Sequence, residues 1–170
     1  MNAENFVLVA ATISAHRDNK LTGRMRLQKT INLLQRLGLP SDYQFSVYFY
    51  GPYSDALASD VKLLEDMKFI REDSNYSRLK NCTYFNYEAQ PTFNDKFPDG
   101  LRSALTKIES TNPDILELAA TFLAYKDIWQ DQEKALKALK MKKKNKVNDE
   151  NLSSMEQFLD ELNLDSSTQS

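Results

Sequence analysis

One histidine, one cysteine and four glycines in a chain of 170 residues set narrow limits on the chemistry this protein can do. Metal sites built from several imidazoles or thiolates are excluded. A nucleophile activated by an imidazole would have to use His16, which falls at the end of a helical pattern, where the ring more often caps carbonyls or faces water. Ser54 follows a Gly51-Pro52 corner, but Pro52 stands where a nucleophile elbow needs glycine. The Ser54 hydroxyl is better placed to cap a helix. Asp55, Asp60, Glu65 and Asp66 read as the outward charge of that same helix, where nothing in the pattern buries a carboxyl enough to make it a general acid. The few glycines form neither a phosphate loop nor a dinucleotide fingerprint. The expectation is a protein without catalytic residues, cofactor or metal, acting by binding.

Two sets of residues could bind. Tyr48, Tyr50 and Tyr53 cluster around the Gly51-Pro52 corner beside Asp55 and Lys62, and aromatic rings with hydroxyl tips suit the centre of a protein interface. This makes a protein partner the first reading, with Tyr48, Tyr53, Asp55 and Lys62 as its contact residues. The alternative is DNA or RNA. Arg17, Lys20, Arg24, Arg26, Lys29 and Arg36 face only Asp18 across residues 17–36, a local net charge of +5, and Arg78 on a later hairpin could extend the patch. Arg24, Arg26, Lys29 and Arg78 are then the candidate phosphate contacts, and binding would weaken steeply with salt. No global field assists, since 22 Lys+Arg are balanced by 24 Asp+Glu. The seven lysines between Lys134 and Lys146 read as the solvated face of an amphipathic helix.

The elements that must position these groups follow from periodicity. Residues 3–17 carry Phe6, Val9, Ala10 and Ile13 on one helical side, and a second helix is expected from Thr22, as its cap, through Leu27, Ile31 and Leu34 to a stop at Gly38. Phe45, Val47 and Phe49 alternate with polar or hydroxylated residues as a strand that Gly51-Pro52 ends. The next helix places Leu57, Val61, Leu64 and Met67 on one face, and the β-prone runs 68–71 and 83–87 predict a hairpin with a long polar tip. Cys82 is expected half-buried beside it. Three more helical patterns follow, on Leu101/Leu105/Ile108, on a stripe from Ile115 to Tyr125, and on Leu136/Leu139. A last one, on Leu152/Met155/Leu159/Leu162, fits its own chain or a second copy. The apolar run 5–15 has no basic residues before it and is too short to span a bilayer, so the expectation is a cytoplasmic protein off the membrane.

A strand, a corner, a helix and a hairpin make a mainly α fold with a small β component: a winged-helix-like core over residues 1–90, a helical extension over 91–165 and a disordered tail over 166–170. Gly23-Arg24-Met25-Arg26-Leu27-Gln28-Lys29 and Tyr48-Phe49-Tyr50-Gly51-Pro52-Tyr53-Ser54 resemble the motifs of the YwgA-like family of small prokaryotic winged-helix proteins. Leu116 to Thr121 and the lysine-containing segment after Ala135 resemble that family's C-terminal part, so the likeness covers most of the chain. The N-terminal half is similar, more distantly, to the Panacea antitoxin domain. These resemblances imply a binding module in a prokaryotic regulatory, toxin–antitoxin or defence assembly.

Overall fold

The computed structural model describes residues 2–164; the expected tail over 166–170 lies outside them. Helix α1 (Ala3–Ala15) begins where the Asn2 side chain accepts the amide of Glu4 at 3.0 Å, and buries Val9, Ala10, Ala11 and Ile13 completely. A 3₁₀ turn, Arg17–Asn19, leads into a short strand, β1 (Lys20–Thr22), that periodicity does not predict, because only Leu21 of its three residues is buried. Thr22 is therefore not a helix cap. Its hydroxyl hydrogen-bonds Asn86 at 2.6 Å, and Gly23, at φ +103°, caps α2 (Arg24–Arg36) with no side chain of its own. At the other end Gly38 adopts φ +106° and the Leu39 amide reaches back to the Leu34 carbonyl at 2.9 Å, the expected left-handed stop.

The corner differs from expectation. The strand does not run to Tyr50: β2 (Ser46–Tyr48) turns at Phe49-Tyr50 and returns as β3 (Gly51–Tyr53), so Gly51 pairs with Tyr48 and Pro52 with Val47 inside a hairpin. Pro52 is tolerated because this two-stranded ladder is all edge. Phe49, assigned to the apolar strand face, stands 69% exposed at the turn. Ser54 does cap α3 (Asp55–Asp66), accepting the Leu57 amide at 3.3 Å, and Leu57, Val61 and Leu64 are buried. Met67 is half exposed, because α3 has already ended and Lys68 turns the chain at φ +64°.

Strands β4 (Ile70–Ser77) and β5 (Cys82–Ala89) pair along their whole length, from Ile70 with Ala89 to Ser77 with Cys82. The expected long tip is a four-residue turn, and Cys82 is exposed instead of half-buried. β1 adds to the other edge of β5, giving the antiparallel order β1-β5-β4. Two 3₁₀ turns lead to α4 (Arg102–Ser110), and Asn112 then caps α5 (Pro113–Trp129). This helix is no stripe. Every residue from Ile115 to Ala124 is buried, including Glu117 and Thr121, because α2, both strands of the β2–β3 hairpin and the helices α6 (Gln132–Lys142) and α7 (Asp149–Glu161) cover all of its sides. One apolar cluster runs from Phe6 to Leu162. The chain is mainly helical with a small antiparallel sheet. None of its described helices is long and apolar enough to cross a membrane.

Candidate functional site

A carboxylate inside an apolar helix needs a counter-charge, and the one at Glu117 organises its surroundings. Its Oε1 accepts Lys143 Nζ at 2.5 Å and its Oε2 accepts Lys146 Nζ at 2.6 Å, while Lys146 also reaches Asp114 at 3.1 Å. Lys143 donates a second time, to the Phe49 carbonyl at 2.5 Å, and ties the loop after α6 to the hairpin turn. The lysine run is thus only partly a solvated face: Lys140, Lys142 and Lys144 are exposed, but Lys143 is buried. Burial acts to raise the Glu117 pKa, and the hydrogen bonds from Lys143 and Lys146 outweigh it, holding the carboxyl below its ordinary value.

The two sequence motifs meet beside this cluster. Gln28 Nε2 donates to the Ser54 carbonyl at 3.0 Å and its Oε1 accepts the Ser54 amide at 2.8 Å, a two-point clamp between α2 and the end of β3. Lys29 follows Gln28 into the interior and is only 5% exposed. Its Cε lies 3.7 Å from where a Cβ on Gly51 would stand, and Thr121 Oγ1 only 2.7 Å from that point, so glycine is required there for space as well as for its φ of +102°. No hydrogen bond or ion pair to Lys29 Nζ forms among the described residues, while the two Glu117 oxygens accept Lys143 and Lys146. Burial, together with repulsion from Lys143, Lys146 and Arg26, outweighs attraction to Glu117 and lowers the Lys29 pKa to about 8.

Over 152 residues the chain is 30% identical to a Bacillus subtilis (strain 168) protein named "Uncharacterized protein YwgA", a match covering 84% of this chain and 88% of that one. The chain belongs to the YwgA-like family. No family model matches it.

In this YwgA-like chain the eight residues singled out for binding do not converge on one place. Tyr53 and Lys62 share a groove of about 280 Å³ between α2, α3 and the sheet with Arg24, whose guanidinium forks onto Glu72 at 2.6 and 3.1 Å and stacks 3.6 Å over Phe85. Tyr48 lies on the β2–β3 hairpin, edge-on to Tyr53 at 5.8 Å, Asp55 is exposed in the first turn of α3, and Arg78 is exposed in the β4–β5 turn. The basic patch is dispersed by use. Arg26 caps the end of α4 through the carbonyls of Ile108 and Thr111 at 3.0 and 2.7 Å, Arg36 pairs with Asp127 at 2.6 Å, and Lys29 is inside. His16 is also buried, its Nδ1 donating to the Thr12 carbonyl at 2.7 Å, with burial lowering its pKa.

Sequence reasoning counted Tyr50 in the aromatic cluster but missed Phe49, whose ring meets that of Tyr50 edge to face at 4.9 Å, with exposed Met141 beside them and Lys142 Nζ 5.7 Å from the Phe49 ring. It also missed Glu117, although a lone carboxylate between Leu116 and Leu118 on an apolar helix was a usable signal.

Proposed function

We propose that this chain is a winged-helix protein that acts without catalysis, as a module that holds an acidic segment of a protein partner in a prokaryotic regulatory, toxin–antitoxin or defence assembly. The winged-helix part rests on the succession α1-β1-α2-α3-β4-β5 with β1 returning to the sheet edge. The observation that carries the binding part is the hairpin turn: Tyr48, Phe49 and Tyr50 are all exposed, and Phe49 and Tyr50 share a cleft with Met141, Lys142 and Lys144. Exposed aromatic rings ringed by cations suit a ligand with apolar anchors and negative charge. A duplex is a poorer fit. The outward face of α3 sets Asp55, Asp60, Glu65 and Asp66 against Lys62, which repels phosphate, and Arg26 and Lys29 are committed to the interior.

A photo-crosslinking amino acid placed at position 49, compared with one at Leu79 in the wing turn, tests this in cells. The expected result is a discrete protein adduct from position 49 that is lost when Lys140, Lys142 and Lys144 are changed to Glu. Nucleic acid captured at position 79, with no protein at 49, would replace the reading with a DNA- or RNA-binding regulator.

A further inference from the structure

Lys29 is 5% exposed, has no hydrogen-bond acceptor among the described residues, and lines a cleft of about 500 Å³ between the first turn of α2, strand β5 and the first turn of α5. The same cleft is lined by the start of α2, where Gly23 offers no side-chain cap and the amides of Arg24, Met25 and Arg26 donate to no group among the described residues. An uncapped helix start carries partial positive charge and free N–H groups, the arrangement that receives a phosphate. The carboxylates that border the cleft, Asp114 and Glu117, are both engaged by Lys146, and Glu117 attracts Lys29 without accepting a hydrogen bond from it. At its outer side stand Tyr84, partly exposed, and Phe85, already covered by the Arg24 guanidinium.

We propose that this cleft binds a small phosphate ester with a flat aromatic body, of mononucleotide size, whose phosphate bridges the α2 amides and Lys29 Nζ while the ring lies against Tyr84. The volume accommodates such a ligand. Stacking on an exposed tyrosine tolerates many bases. The cleft shares Glu117 and Lys146 with the one beside the hairpin turn, while the contacts proposed here, the α2 amides, Lys29 and Tyr84, lie outside that second cleft.

The test is titration of the full chain with inorganic phosphate, adenosine monophosphate and a single-stranded oligonucleotide, followed by calorimetry and by the NMR signal of the Lys29 side chain. Saturable binding of the monophosphate is expected, with the Lys29 pKa returning towards its ordinary value because the bound anion stabilises the charged amine. Lys29→Met should weaken it at least about tenfold, as loss of a charge-assisted hydrogen bond does. Tyr84→Ala should weaken the monophosphate but not inorganic phosphate. Unchanged affinity in Lys29→Met, absence of any Lys29 response to all three ligands, or affinity that grows with oligonucleotide length would each overturn the proposal, the last in favour of a nucleic-acid strand.

Discussion

Two lysines enter the same interior from opposite sides, and only one is provided for. Lys143, on the loop after α6, reaches a carboxylate and a backbone carbonyl; Lys29, on α2, reaches neither, although Glu117 is the shared neighbour of both. A buried ammonium with partners is a structural tie. One without partners is a standing cost that the rest of the fold must offset, and such costs collect where a ligand completes the set. The contrast separates a residue that holds the hairpin turn to the C-terminal loop from one that waits for an anion.

The strongest way to break the contrast is to remove the shared carboxylate. Glu117→Gln leaves Lys143 buried opposite an amide and should lower stability by about 3–5 kcal/mol in urea unfolding. Because the folded pKa of Glu117 is depressed, its contribution is present above the unfolded carboxylate value and is lost as pH falls through the folded one, so the variant should also lose the acid-side slope of the wild type. Lys29→Met should have the opposite sign. With a folded pKa of about 8 against an ordinary 10.5, the unfolded chain binds the proton more tightly, and the penalty is full below pH 8. The variant should therefore be more stable than wild type at pH 7, by up to about 3 kcal/mol, and the gap should close as pH rises from 8 towards 10. If Lys29→Met destabilises at neutral pH, the two lysines are alike and the comparison fails.

Gly51→Ala probes the backbone that roofs Lys29. A methyl group would meet Thr121 Oγ1 at 2.7 Å on a residue at φ +102°, and a loss of about 2 kcal/mol is expected, partly restored in a Gly51→Ala/Thr121→Ala double variant measured by thermal unfolding. Arg24→Ala should do least. Its fork onto Glu72 is on the surface, and a change under about 1 kcal/mol is expected, falling further in high salt.

Helices with one apolar face were legible in the sequence, because Leu27/Ile31/Leu34 and Leu57/Val61/Leu64 repeat at the helical period and Ser54 and Gly38 mark a start and a stop. The hairpin turn was not. Phe49 and Tyr50 are strong strand formers, so alternation carried the strand through the turn to the Gly51-Pro52 break just after it. Strand β1 was hidden by its length. As for the candidate site, the pairing of Gln28 with Ser54 joins segments 26 residues apart in sequence, and the burial of Lys29 depends on α5 and the β2–β3 hairpin arriving from elsewhere in the chain. No local pattern reports that a lysine on a basic-looking helix faces inward.

The pairing of β1 with β5 sets an order in time. Lys20 must wait for Glu88, and the central strand of the sheet is the last of the three to be made, so neither edge strand has its ladder partner until the chain has been synthesised past Ala89. Up to that point a nascent chain holds only helices and the small β2–β3 hairpin, with Leu21 lacking the strand that pairs with it. Closing the long loop between β1 and β5 is entropically slow compared with forming a helix or the tight β4–β5 hairpin. The sheet is therefore a late event in biogenesis, and a ribosome stalled before Ala89 would present Leu21 and the edges around it to chaperones.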